Sequence, residues 1–103
     1  MTNKEFRLVY SVGKKVYSTY ARIIFLPGDE LKVGIVVSSK HGGAVVRNKV
    51  KRRIKEFFRE IPADFVMPKG FLVVMPKVGI KNISYEEIKV DMVKALKKAQ
   101  LVS

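Results

Sequence analysis

The segment from residue 47 to residue 59 combines an apolar stripe with a dense row of positive charge. At about 100° per residue, its apolar side chains Val50, Ile54, Phe57 and Phe58 fall on one side of a helix. Seven of its residues are basic and one is acidic, so the segment carries half of the formal net charge of +12. The pattern predicts a helix with one buried face and a cationic face beside it. Such a helix fits a phosphate backbone, because each neutralised phosphate releases counterions.

The composition predicts one folded domain over residues 1–103. Hydrophobic residues make up 48% of the chain, which is enough for a single modest core. Lys and Arg number 21 against 9 Asp and Glu, an excess that attracts nucleic acid first and an anionic membrane surface second. Cysteine is absent, which excludes disulfides and thiolate metal sites. No apolar run approaches the roughly 20 residues of a membrane span, and no secretory h-region is present, so a cytoplasmic location is expected.

The first forty residues predict a helix followed by two strands. The helix covers residues 3–11, where Phe6 and Tyr10 stand four residues apart on one face. The first strand covers residues 15–26, and a Pro-Gly turn separates it from a second strand at 31–39. The two strands are predicted to pair as a hairpin. The alternate residues expected on one face of the first strand are Tyr17, Thr19, Ala21, Ile23 and Phe25.

The remaining chain predicts the basic helix at 45–60, ended by Pro62, and then a buried strand at 71–75. Ser84 opens a capping box with Glu three residues later, which predicts the start of a last helix. The order is therefore α-β-β-α-β-α, an α+β protein built as a single two-layer α/β sandwich. If the strands at 31–39 and 71–75 are neighbours, the basic helix is the crossover between them.

Residues 38–56 resemble the signature of the bacterial ribonuclease P protein subunit. That family carries Ala-Val-x-Arg-Asn-x-x-Lys-Arg, and this chain reads Ala44-Val45-Val46-Arg47-Asn48-Lys49-Val50-Lys51-Arg52. The surrounding order of aromatic helix, strands, signature, hydrophobic strand and capped helix extends the resemblance over about residues 5–98. The chain departs from the family pattern at Ser39, where Lys is usual, and at Lys49 and Lys55, where Arg is usual.

The resemblance implies a fold like the second domain of ribosomal protein S5, with an uncommon left-handed crossover through the basic helix. It implies a subunit of ribonuclease P that binds the catalytic RNA and the 5′ leader of precursor tRNA, and that aids endonucleolytic removal of the leader. The implied partners are the RNA subunit and precursor tRNA, with no DNA and no membrane. Mg²⁺ would be held by the RNA and the substrate, and the protein would supply no catalytic residue and no metal site.

The resemblance also assigns two sets of binding residues. The set implied for the RNA subunit is Lys40, Arg47, Asn48, Lys49, Lys51, Arg52, Arg53, Lys55 and Arg59. The set implied for the leader is Phe6, Tyr10, Tyr17, Tyr20 and Phe25. Spacing alone favours core positions for Phe6 and Tyr10, whereas the resemblance favours stacking on leader bases. His41, the single histidine, has no evident partner for a triad or metal site and is interpreted as a loop residue that faces RNA.

Three other classes of function compete with this interpretation. The first is a structural RNA-binding protein of the ribosomal type, which would share the size, charge and mixed fold. The Arg-Asn-x-x-Lys-Arg signature favours ribonuclease P over that class. The second is a DNA-binding recognition helix, which lacks the companion helix of a helix-turn-helix motif. The third is a membrane-surface helix, which conflicts with the strand patterns that require Phe57 and Phe58 in a core.

Overall fold

The computed structural model describes residues 2–61 and 69–98, which form three α-helices and one four-stranded sheet. In chain order the elements are α1 (Asn3–Val12), β1 (Lys14–Tyr17), β2 (Ala21–Pro27), β3 (Lys32–Ile35), α2 (Ala44–Glu60), β4 (Gly70–Pro76) and α3 (Tyr85–Lys98). Short 3₁₀ turns at Ser39–His41 and Ile80–Asn82 precede α2 and α3. The predicted helix stop at Pro62 lies outside the described residues. None of the described helices has the length and apolar character needed to cross a membrane.

The strands lie side by side in the order β1-β2-β4-β3. The pairs β1–β2 and β2–β4 are antiparallel, and β3 runs parallel to β4. Helix α2 therefore connects two neighbouring parallel strands, which confirms the prediction that the basic helix is a crossover. The apolar strand β4 lies inside the sheet, where both of its faces are covered.

The predicted first strand, residues 15–26, is in fact two strands joined by a tight turn. Ser18 Oγ accepts a hydrogen bond from the N–H of Ala21 and donates one to its carbonyl, both at 2.9 Å. The carboxylate of Asp91 in α3 accepts the N–H groups of Thr19 and Tyr20 at 3.0 and 2.9 Å. The two bonds to Asp91 join residues more than seventy positions apart, so the strand pattern alone did not reveal the turn.

The turn also moves Tyr17 to the other face of the sheet. Val16 is paired with Ile23, and Tyr17 is paired with Arg22. Because paired residues share a face, Tyr17 lies on the face opposite Ile23. The expectation that Tyr17 shares one face with Ala21, Ile23 and Phe25 is wrong.

The predicted hairpin between residues 15–26 and 31–39 is also wrong. Strand β4 lies between β2 and β3 and pairs with both. Gly70, at the start of β4, has a φ of +151°, and a Cβ there would collide with the carbonyl oxygen of Leu26. A glycine at this position therefore allows β4 to lie close to β2.

Helices cover both faces of the sheet. The larger core lies between one face and helices α2 and α3, with Ile54, Phe57 and Met92 fully buried against Ile23 and Leu72. On the other face, the fully buried Val9 of α1 packs on Ile24 and Val73. The predicted α+β sandwich is confirmed, and its order of elements fits once the first predicted strand is divided into β1 and β2. The structure adds that α1 covers the face of the sheet opposite α2, so helices lie on both faces.

Candidate nucleic-acid interface

Helix α2 presents its cations to solvent because its apolar stripe is committed to the core. Val50, Ile54 and Phe57 are almost completely buried against the sheet and α3. Of the predicted binding residues on this helix, the exposed ones are Asn48, Lys49, Arg52, Lys55 and Arg59. Arg47, Lys51 and Arg53 are half-buried at the borders of this surface. The structure thus brings the predicted helix residues together on one element.

One border of α2 forms a pocket with the edge strand β3. Lys51 and Lys55 line it beside the apolar side chains of Val33, Ile35 and Phe58, around a volume of about 280 Å³. The two ammonium groups stand over an apolar floor, an arrangement that suits phosphate groups above and a nucleobase below. The pocket is the place where the cationic surface is concave.

Three arginines of α2 have different surroundings. Arg53 donates from Nη1 to the carbonyl of Ile83 at 2.9 Å, which ties α2 to the chain just before α3. Arg59 pairs with Glu56 at 3.0 Å. The Nε of Arg47 is buried and finds no hydrogen-bond partner among the residues that the structure describes. Arg47 therefore keeps donor capacity for a ligand, whereas Arg53 has a structural contact that the sequence did not predict.

The segment before α2 contains one predicted site residue and one correction. Lys40 is exposed, as a phosphate contact requires. His41 is only 6% exposed, and its Nε2 lies 3.0 Å from the carbonyl oxygen of Pro76. The interpretation of His41 as a residue that faces RNA is therefore wrong, since it joins the start of α2 to the end of β4. Gly42 follows with a φ of +129°, a conformation that favours glycine.

A second concave surface lies between α1 and the sheet, and we call it the aromatic groove. The rings of Phe6 and Tyr10 are 6.3 Å apart between centroids and 29° from parallel. They line a groove of about 530 Å³ together with Asn3, Arg7 and Val36. Both rings are half-buried, so they pack on the sheet and still present part of their surface. Phe6 and Tyr10 can therefore pack on the core, as their spacing predicts, and still leave ring surface on which a base could stack.

Helix α1 is held in place at its first turn. Thr2 and Glu5 form a reciprocal capping box, and Glu5 also pairs with Lys32 of β3 at 3.2 Å. The N–H of Thr2 and the ammonium of Lys32 lower the pKa of Glu5 below its usual 4.5. The same pair raises the pKa of Lys32. The aromatic groove is therefore built on an element that is attached to the edge strand through a charged contact.

Two of the aromatic residues predicted to bind the leader lie on the wrong face of the sheet. Phe25 is 6% exposed and belongs to the core beneath α2 and α3, so it cannot stack on a base. Tyr20 packs against the same core, and its hydroxyl donates to Glu87 of α3 at 3.2 Å. Tyr17 is 62% exposed and shares the face of α1, although it lies on the far edge strand.

The sequence argument missed Arg7 and Val36 of the aromatic groove. Arg7 directly follows Phe6 on a helix that had been predicted, so the helical pattern offered a signal for it. Val36 follows β3 and continues its pairing, with its N–H donating to Val74 at 2.9 Å. Nothing in the local pattern identified it, because its position depends on the order of strands.

The charge of these surfaces does not fit a metal site formed by the protein. Within residues 2–61 and 69–98, no three His, Asp or Glu side chains come close enough to share a metal ion. Carboxylate oxygens are the usual protein ligands of Mg²⁺, and the candidate surfaces present ammonium and guanidinium groups instead.

An α+β fold with a cationic helix on one face of its sheet and an aromatic groove on the other defines a small basic protein of the nucleic-acid-binding class. The family model described as Ribonuclease P matches residues 1–100, and the chain belongs to this family.

Curated relatives agree with this family. The ribonuclease P protein component of Thermus brockianus is 44% identical over 90 residues, which cover 87% of this chain and 53% of that protein. The protein component of Geobacillus sp. (strain WCH70) is 34% identical over 100 residues, covering 94% of this chain and 85% of that protein. The chain thus spans about half the length of the Thermus relatives it matches.

Solved structures show the same fold. The RNase P protein from Staphylococcus aureus superimposes with a TM-score of 0.87 at 26% identity, covering 100% of this chain and 95% of that one. The RNase P protein from Thermotoga maritima gives a TM-score of 0.80 at 29% identity, covering 92% of this chain and 91% of that one. The family predicted from residues 38–56 is therefore confirmed.

Proposed function

We propose that the protein is the RNA-binding subunit of a ribonuclease P holoenzyme that removes the 5′ leader of precursor tRNA in the cytoplasm. The observation that supports the proposal is that one small sheet carries a cationic helix on one face and an aromatic groove on the other. The cationic surface of α2 suits a folded RNA, and the aromatic groove suits a single strand. Family membership supports the same assignment, since the relatives named above are protein components of ribonuclease P.

The RNA subunit would bind the cationic surface of α2. Contacts between lysine or arginine and phosphate give affinity and orientation with little sequence preference. Arg52 and Lys55 are exposed on a rigid helix and Arg47 and Lys51 are half-buried at the border of the same surface. The pocket beside β3 would receive an unstacked base. We expect binding to weaken steeply with salt, because every neutralised phosphate releases counterions.

The leader would lie in the aromatic groove. A base stacked on Phe6 or Tyr10 gains about 1–3 kcal/mol without regard to its identity. Arg7 lines the same groove and would meet the backbone phosphates of the strand. A leader of variable sequence suits such a surface, since stacking and charge tolerate any base.

Strand β3 brings the two surfaces near each other. Its side chains alternate between the two faces of the sheet, so that Val33 and Ile35 line the pocket beside α2. Val36, the next residue, lines the aromatic groove. A substrate leader and the RNA subunit would therefore meet at the β3 edge, and holding both would position the scissile phosphate.

In this proposal Mg²⁺ is held by the RNA and the substrate, and the RNA carries out the hydrolysis. The protein contributes positive charge between two polyanions. Reduced repulsion would let precursor tRNA bind at lower Mg²⁺ concentration.

The test is cleavage of precursor tRNA by a cognate RNA subunit at low Mg²⁺, with and without the protein. We expect correct 5′ cleavage only when both are present, and none from the protein alone. If the protein binds the RNA and leaves the cleavage rate unchanged, the proposal is wrong and a structural RNA-binding role replaces it. The protein alone cutting the precursor would also contradict it.

A further inference from the structure

A row of side chains crosses the sheet from the aromatic groove to the opposite edge. Tyr17 of β1 is paired with Arg22 of β2, and Arg22 is paired with Met75 of β4. Val36 lies beside Met75. The N–H of Val36 donates to the carbonyl oxygen of Val74, which directly precedes Met75. These residues point to the face of α1, and three strand spacings of about 4.8 Å separate the ends of the row. The row therefore connects the groove to the β1 edge.

The row ends in an open aromatic surface. The guanidinium of Arg22 lies 5.7 Å from the ring centroid of Tyr17. Tyr17 is 62% exposed, so the rest of its ring is available to solvent. The Nε of Arg22 is buried and has no hydrogen-bond partner within the described residues. An exposed aromatic ring backed by a cation is suited to one stacked nucleobase.

Cations from two elements surround this ring. Lys15 of β1 and Lys98 of α3 line a pocket of about 310 Å³ together with Tyr17. Lys94 and Lys98 line a second pocket of about 370 Å³, to which Tyr17 also contributes. The second pocket also contains the carboxylate of Asp91, whose two oxygens are engaged by the N–H groups of the β1–β2 turn.

We propose that the β1 edge is a distal subsite for the 5′ leader, in which Tyr17 stacks on a base and Lys15 and Lys98 contact phosphates. The inference rests on the proposed function. The RNA subunit and the cleavage site belong to the β3 edge, so nucleotides further from the cleavage site extend away from it. Val36, Met75 and Arg22 form the path along the face of α1 toward Tyr17.

The experiment measures the affinity of reconstituted holoenzyme for precursors whose leaders are shortened one nucleotide at a time. For Tyr17→Ala, we expect about tenfold weaker binding of long leaders. This loss should vanish abruptly below the length that reaches the β1 edge. Tyr17→Phe keeps the ring and should bind as the unchanged protein does. Because Tyr17 is exposed, thermal unfolding of both variants should match that of the unchanged protein.

Two substitutions that each remove one lysine charge test the phosphate contacts. Lys98→Gln should lower the salt dependence of long-leader binding by about one unit of slope. Lys69→Gln, at an exposed position before β4, should leave that slope unchanged.

The inference is overturned if Tyr17→Ala binds every leader length as tightly as the unchanged protein while cleavage continues. A loss that is equal at all lengths, or that appears in binding of the RNA subunit alone, would also overturn it. Failure of the proposed function is a separate result, because the unchanged protein would then not stimulate cleavage at all.

Discussion

Two side-chain hydrogen bonds join α2 to the first residue of α3 and to the chain just before it. Arg53 of α2 bonds to the Ile83 carbonyl, and the hydroxyl of Tyr85 donates to Glu60 at 2.8 Å. Burial and the neighbouring Glu60 carboxylate raise the pKa of Tyr85 from 10.0 to about 12. These contacts orient the cationic helix through Arg53, which the resemblance had assigned to the RNA subunit, and through Tyr85 and Glu60, which it had not.

The raised pKa of Tyr85 predicts a loss of stability at alkaline pH. The folded state retains the phenolic proton above the unfolded pKa of 10.0, so this contribution is complete below pH 10. It is lost as pH rises from 10 through about 12. Tyr85→Phe should remove this part of the pH dependence and cost less than about 1 kcal/mol at neutral pH, because the bond is exposed. Chemical unfolding across this pH range checks the prediction, and identical alkaline profiles would contradict it.

Arg52 and Arg53 are neighbours of the same residue type and should behave differently. Arg53→Gln should lower the free energy of unfolding by about 1–2 kcal/mol, because a part-buried charged hydrogen bond is lost. Arg52→Gln should change stability by less than about 0.5 kcal/mol and reduce the salt slope of RNA-subunit binding by about one. Unfolding curves and binding at several salt concentrations measure both quantities. Equal losses of stability would show that Arg52 is not a surface contact.

At the scale of elements, α1 is the least anchored helix of the fold. It packs through the fully buried Val9 and is attached to β3 through the Glu5–Lys32 pair. Its aromatic pair, Phe6 and Tyr10, is therefore positioned by apolar packing on the sheet and by one charged contact. An element of this kind can adjust to a bound strand at small cost.

Phe6→Leu tests the groove because leucine keeps much of the apolar packing and lacks an aromatic face. We expect roughly tenfold weaker binding of precursor tRNA by the holoenzyme and no change for leaderless tRNA. Leu8→Ala, at a half-exposed position on the same helix, is the control and should affect neither. An equal loss for the two RNAs would assign Phe6 to the fold of α1 and not to the leader.

At the scale of the whole molecule, the sheet separates two chemistries. The face beneath α2 and α3 is packed into the main apolar core and holds Phe25. The face of α1 carries the aromatic groove and the row of side chains that leads to Tyr17. Phe25 of β2 is thus structural, whereas Tyr17 of β1 lies on the face available to RNA.

Phe25→Ala should therefore destabilise the protein by about 3–5 kcal/mol, because it removes a large side chain from the main core. Thermal unfolding measures this loss. At a temperature where the variant is folded, its affinity for precursor tRNA should equal that of the unchanged protein. Weaker leader binding by the folded variant would contradict the placement of Phe25 in the core.

Several features could be predicted from the sequence because they depend on local periodicity. The apolar stripe of α2 determines which of its side chains are buried and which cations remain outside. Thr2 and Ser84 cap their helices within one turn, with Glu5 and Glu87 donating their N–H groups. The family signature in residues 38–56 also lies within one continuous segment.

Only the tertiary structure decided the order of strands and the face of each aromatic residue. The turn at Ser18 is stabilised by Asp91, which is more than seventy residues away, and it reverses the alternation that had placed Tyr17 beside Phe25. His41 is buried because β4 brings the Pro76 carbonyl to it. The sequence by itself determined the helices and the cationic face of α2, since those follow from neighbours within a few residues. The aromatic groove and the β1 edge depend on strand pairing across the chain, which no local pattern records.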